Sequence, residues 1–153
     1  MSIPPTTTLR RTLTYAGARA VLDAAVAHAA RIGVPVNVCV ADTAGDVLAS
    51  ARMDGAALLS YDIAVDKAYT VAAFGGLPTH AWFDLIKDEP SLREGIVHRD
   101  RLVVFGGGVP VRVGGEFVGA VGVSGGSAEQ DREIAEAGAA AADLSADRED
   151  QEP

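Results

Sequence analysis

The stretch VVFGGGVPVRVGGEFVGAVGVSGGS, Val103 to Ser127, decides the fold, because it gathers nine of the chain's 17 glycines. Such a run is either a loop that wraps a phosphate or a pair of strands whose backbone turns tightly. The spacing chooses between them. Only Gly106 and Gly108 form a G-x-G, Val111 stands where the dinucleotide fingerprint needs its third glycine, and no glycine precedes a lysine as in a P-loop. Instead VPVRV (109–113), Gly114-Gly115 and EFVGAVGV (116–123) have the form of a β-hairpin with the glycine pair at its turn. Val109, Val111 and Val113 alternate onto one face. On the return strand, Phe117, Gly119, Val121 and Val123 are expected on one face, and Val118, Ala120 and Gly122 on the other. Glycine inside a strand marks the close approach of a helix or a ligand. Two stretches of bare backbone flank the hairpin. One is Gly106-Gly107-Gly108; the other is Ser124-Gly125-Gly126, which leads into a helix N-terminus suited to an anion.

Outward from the hairpin, the remaining elements follow from periodicity and punctuation. Thr14 is an N-cap for a helix over 15–32 with Leu22, Ala25, Val26 and Ala29 as its buried stripe, ended by Gly33. VNVCVAD (36–42), the turn TAGD and VLASARM (47–53) predict a second hairpin. LLSYDIAVDKAYTVAAF (58–74) predicts a helix with a small-residue face, and Thr79 a cap for a short helix in HAWFDLIKD. SLREGIVHRD (91–100) reads as a loop and Leu102–Phe105 as a further strand. Ser127 and Gln130 have capping-box spacing at the start of the last helix. Hairpin-linked strands among helices predict an antiparallel sheet and the α+β class. The expected organisation is a ragged arm (1–13), one domain (14–144) and a disordered acidic tail (145–153).

Composition narrows the function classes. At 153 residues and 48% hydrophobic, the chain can bury one core, built mostly from alanine, valine and glycine, since aromatics are only 5%. A net charge of −8 argues against nucleic acid and anionic membranes as partners. The lone Cys39 allows no internal disulfide and reads as core. With no apolar leader and no run of membrane-spanning length, a cytoplasmic setting is expected.

GVPVNVCVADTAGDVLASARMDGA (33–56), DKAYTVAAFG (66–75), GGGVPV (106–111) and VGAVGVSGGSAEQDREIAEAGAAA (118–141) occur in a specific order. In this series the chain resembles the GlcG/HbpS-like haem-binding proteins, a group that includes the C-terminal domain of PduO. The resemblance runs from about Thr14 to Leu144. It implies a profilin-like layered α/β/α fold with a five-stranded antiparallel sheet, a homo-oligomer, and haem as a possible cofactor linked to haem or redox handling. Residues 76–101 depart from the family's Ala- and Gly-rich spacer and offer a subgroup-specific pocket wall.

The candidate residues are those with chemistry to offer a haem or a small anion. His98, in a polar segment before the triple glycine, is the foremost histidine for acid–base work or iron ligation. His28 is a second axial candidate, by analogy of region with the PduO-like branch, and His80 sits at the first turn of the short helix. No two histidines have metal-ligand spacing, and Asp42, Asp46 and Asp54 are explained by turns. Tyr61 and Tyr69 are oxygen donors that also suit packing. Arg52 and Lys67 stand among small apolar side chains; each needs either a nearby acid (Asp54, Asp62 or Asp66) or an anionic ligand. Arg112 is a weaker third cation. Gly122-Val123-Ser124-Gly125-Gly126 fits the bare G-x-S-x-G pattern, yet no histidine and acid can be assigned to Ser124. Two functions are expected from this set. One is haem or tetrapyrrole binding. The other is a cofactor-independent enzyme of carboxylate or carbonyl catabolism, with His98 as acid–base, Arg52 and Lys67 as anion clamp, and the backbone of Gly107-Gly108 or Ser124-Gly126 as oxyanion donors.

Overall fold

Thr14 does what its place before an apolar-periodic run predicts. Its Oγ1 accepts the Gly17 N–H at 3.0 Å and opens α1 (Tyr15–Ile32), which Gly33 closes in the left-handed region at φ 71°. A computed structural model of the chain describes the backbone of residues 1–149 and the side chains of residues 1–144. β1 (Asn37–Asp42) and β2 (Val47–Arg52) form the first hairpin. α2 (Leu59–Ala73), a 3-10 turn (Thr79–Ala81), α3 (Trp82–Ile86) and α4 (Pro90–Ile96) follow. β3 (Gly108–Val113) and β4 (Glu116–Ser124) form the second hairpin, and α5 (Ala128–Glu149) ends the described chain. Gly114 and Gly115 turn the second hairpin with φ of 57° and 81°, the positive pair that a type I′ turn requires.

The sheet is antiparallel throughout, in the order β2-β1-β4-β3. α1 and α5 cover one face, packing on Val36, Val38, Val40, Val121 and Val123. α2 covers the other through Ala64, Ala68 and Val71 against Cys39, Ala41 and Ala120. This is the layered α+β arrangement expected of the sequence.

The strand count differs from the expectation: the sheet has four strands, not five. Leu102–Phe105 forms no strand, and its start is held by α2 and by a local turn, with the Leu102 N–H on Arg99 O. The Val103 N–H donates to Thr70 Oγ1 at 3.0 Å, and that hydroxyl donates to Arg101 O at 2.8 Å. The alternation along β4 also differs. Val111 pairs with Gly119 but Arg112 pairs with Phe117, so Val118 is the extra residue of a β-bulge. The bulge sends Val118 to the α1–α5 core with Val121 and Val123, and sets Phe117 against the α2 core with Ala120.

Three local assignments also shift. Thr79 caps no helix; its hydroxyl accepts the Gly108 N–H at 2.8 Å and ties the turn to β3. Pro90 opens α4 inside the segment expected to be loop, as a proline at the first helical position favours. At the N-terminus, the Leu13 N–H donates to Val118 O at 2.9 Å, so the arm is tied to the sheet before α1 begins. The expected tail, 145–153, overlaps the last turn of α5, and its residues 150–153 lie outside the described residues.

Candidate functional site

A lysine in an alanine-rich helix must find a counter-charge or water. α2 lies so close to the sheet that a Cβ on Gly122 would collide with Ala64 O and stand 2.6 Å from Ala68 N. At that separation Lys67 has no route outward and is fully buried. Its Nζ donates to Val123 O at 2.8 Å and to Asp131 Oδ2 at 3.1 Å, and lies 5.1 Å from the centre of the Phe105 ring. Burial lowers the Lys67 pKa from its ordinary 10.5, and the Asp131 carboxylate opposes that shift.

The same carboxylate serves α5. Asp131 Oδ1 accepts the Gly126 N–H at 2.8 Å, while Ser127 and Gln130 form the reciprocal capping box at 3.0 and 3.1 Å. The anion at the start of α5 is therefore the chain's own Asp131. Gly107, at φ 129°, leaves room for the pair, since a Cβ there would stand 2.5 Å from Lys67 Nζ. Gly108 is equally confined, 2.8 Å from Lys67 O by the same test. Lys67, Gly107, Gly108 and Gly126 thus come together in a packing seam, with buried Ser124 next to Val123. The counter-ion of Lys67 is Asp131, not Asp54, Asp62 or Asp66; Asp66 pairs with Arg101 Nε at 3.0 Å.

The other candidates lie apart. Arg52 is exposed at the end of β2, opposite Asn37, which is opposite Ser124 on its other side. Two strand spacings, about 10 Å, separate Arg52 from Ser124. Gly125 is exposed at φ 140°. His28 sits in the α1–α5 layer, with Nε2 2.8 Å from Glu133 Oε1 and Nδ1 3.2 Å from Arg31. His98 is exposed just beyond α4, where its backbone N–H donates to Gly95 O. Tyr61 bonds Ser50 at 2.7 Å, and Tyr69 stacks under Arg101 at 3.7 Å. Among the described residues, no three His, Cys, Asp or Glu side chains group as a metal site.

His80, placed behind His98 and His28 as a candidate, stands in a different setting. Its Nδ1 is buried with no hydrogen-bond partner. Burial, then the neighbouring Arg132, hold its pKa below the usual 6.5, so the ring is neutral at neutral pH. It borders two grooves. One, of about 410 Å³, includes Pro110, Arg112 and Glu136; the other, of about 520 Å³, includes Phe83, Phe105 and Arg132. The available signal was the cluster THAWF (79–83) inside the segment that departs from the family pattern. What concealed it was that His80 reaches Gly106 and α5 only through the fold.

A family model described as "Haem degrading protein HbpS-like" matches residues 13–140. The chain belongs to the HbpS-like family. This HbpS-like chain is 43% identical over 126 residues to an uncharacterized 15.0 kDa protein from the dhaT-dhaS intergenic region of Citrobacter freundii, covering 82% of this chain and 88% of that one. Protein ORFY of Klebsiella pneumoniae shares the fold at a TM-score of 0.82 and 32% identity, over 92% of this chain and 97% of the other. A PduOC–haem complex matches at a TM-score of 0.73 and 32% identity, over 85% of this chain and 94% of the other. No helix among the described residues is long and apolar enough to cross a membrane.

Proposed function

We propose that this chain binds haem or a closely related tetrapyrrole, as a cytoplasmic homo-oligomer with a role in haem or redox handling. The observation that carries the reading is the PduOC–haem complex, which shares this fold at 32% identity. The chain's own residues fit such a group. An imidazole can ligate haem iron only through an unprotonated nitrogen, and the macrocycle is suited by apolar walls and a cation for its carboxylates. His80 is a neutral imidazole, Phe83 and Phe105 are exposed aromatic rings in one groove with it, and Arg132 lines the same groove. With aromatics at 5% of the chain, the pigment would sit in an open groove or between subunits rather than in a deep cavity. Bound haem supplies iron-centred redox and ligand-binding chemistry. The chain would contribute a donor nitrogen, shield the ring from water and pair its carboxylates.

Self-association is supported by the open edge of β2 and the groove of about 630 Å³ beside it, lined in part by Leu22, Val26, Leu48 and Ala51. An uncovered strand edge next to apolar surface is a ready template for another copy. Titration with haemin, alongside native mass spectrometry of freshly purified protein, tests the reading. A Soret band that shifts and saturates at a fixed ratio per subunit is expected. The absence of a saturable shift overturns it.

A further inference from the structure

Resting on that haem-binding reading, we propose that the macrocycle docks in the groove at the start of α5, with His80 as its axial donor, Phe83 and Phe105 against the ring and Arg132 on a propionate. Each component stands on its own observation. A buried polar atom without a partner is uncommon in a folded protein, and His80 Nδ1 is one. The other ring nitrogen, Nε2, makes no hydrogen bond to a described residue, and the ring lines the groove. Unlike His28, whose two ring nitrogens are engaged by Glu133 and Arg31, His80 has nothing to release before it ligates.

The aromatic walls are the second observation. This chain has few aromatic residues, yet two phenylalanines, 59% and 50% exposed, line one groove of about 520 Å³. Exposed apolar rings brought together in a concave surface mark a binding site, and the volume falls within the roughly 300–1,000 Å³ of small-molecule sites. Phe105 is also anchored, because the buried Lys67 ammonium lies 5.1 Å from its ring centre. One wall is therefore preorganised by the core.

Charge is the third. Arg132 commits its Nε to Glu136 at 2.8 Å, and its half-exposed side chain keeps its terminal nitrogens for a carboxylate. The start of α5 lies at the same rim, at Ala128, but its charge is already met by Asp131, so the arginine is the cation the groove offers. Glu129 also lines the groove and opposes a second carboxylate there. The groove thus favours a planar apolar ring with one acidic edge inward and the other in solvent. An apolar peptide would use the phenylalanines but leave the imidazole and the arginine idle.

The test compares haemin titrations of the full chain and its variants by absorption and electron paramagnetic resonance. His80→Ala should weaken haemin binding about tenfold or more and move the Soret band toward that of free haemin, and added imidazole should restore the band. Phe83→Asp, at an exposed position, should weaken binding without removing the axial ligand's spectral signature. His28→Ala and His98→Ala should bind as the parent does. If the parent binds haemin saturably while His80→Ala and Phe83→Asp both keep its affinity and spectrum, the site is wrong and the haem reading stands. If His28→Ala or His98→Ala alone loses the axial signature, the site is also wrong. If the parent shows no saturable binding, the haem reading itself falls. A folding defect in His80→Ala leaves Phe83→Asp and the two control histidines to decide.

Discussion

Asp131→Ala isolates the buried ion pair and has a magnitude that the structure fixes from two directions. Removing the carboxylate leaves the Lys67 ammonium fully buried with only Val123 O and the Phe105 face as partners. Breaking one side of a buried pair costs about 3–5 kcal/mol. The lysine has an escape, which is to lose its proton. From an ordinary pKa of 10.5, deprotonation at pH 7 costs about 5 kcal/mol at about 1.4 kcal/mol per pH unit, so that sets the ceiling. The loss of the acceptor for the Gly126 N–H adds about 1 kcal/mol that does not vary with pH. The sign of the pH dependence follows. In the variant the folded-state pKa of Lys67 falls further below 10.5 than in the parent. Between the variant's value and the parent's, only the variant's folded lysine has lost its proton, so there stability of the variant rises with pH relative to the parent, by up to about 1.4 kcal/mol per unit; above the parent's value the two slopes are equal and cancel. Urea unfolding, followed by fluorescence of the buried Trp82, measures both chains from pH 7 to 10. The deficit should be largest at pH 7, shrink as pH rises through the variant's lowered Lys67 pKa, and level off once pH passes the parent's. Contributions common to both chains, such as that of Cys39, cancel in the difference. A deficit below about 1 kcal/mol at pH 7, or one that ignores pH, would refute the assignment of Asp131 as the counter-ion.

Three further outcomes are expected. Burial pushes the Cys39 thiol up to about 12, so iodoacetamide at pH 8 should leave the native protein unmodified and label it once urea unfolds it; prompt native labelling contradicts its placement. Gly122→Ala forces a methyl into Ala64 O and should destabilise by about 1–3 kcal/mol or more in the same urea assay, with no tolerance for the smallest added side chain. Ser127→Ala removes the acceptor of the Gln130 N–H and should cost about 1 kcal/mol, independent of pH, in contrast to Asp131→Ala.

What was legible in the sequence was local. The caps at Thr14 and Ser127, the stop at Gly33 and the turn at Gly114-Gly115 each depend on contacts within a few residues, and all four hold. The hairpin order gave the α+β class for the same reason. The bulge at Val118 was not legible, because alternation is read on the assumption of unbroken register, and one extra residue reverses the faces beyond it. The expected strand over 102–105 failed on composition. Valine and phenylalanine favour strands, but Thr70, some thirty residues earlier, takes the Val103 N–H and, just before the segment, Arg101 O. At the site the same limit applies. Three acids near Lys67 in sequence were natural partners, and the actual one is 64 residues away.

The glycine stretch connects these two scales. Gly122 lets α2 settle on the sheet, which buries Lys67; Gly107 leaves the volume that the ammonium occupies; Gly126 donates to the carboxylate that neutralises it, at a point where a Cβ would stand 2.9 Å from both Val34 Cγ1 and Gln130 Oε1. None of the three needs to meet a ligand to be required as glycine. The neighbouring residues on the same stretch are different in kind. Phe105 presents its ring to the buried ammonium on the inside and remains half-exposed, and Gly106 packs between His80 and the Ala128 carbonyl at the groove wall. The seam that fixes the core therefore also fixes the position of one groove wall. It follows that the ion pair bears on ligand binding through position rather than contact. A change at Asp131 that leaves the chain folded should loosen Phe105 and weaken haemin binding, while the spectral signature of the axial donor His80 stays unchanged.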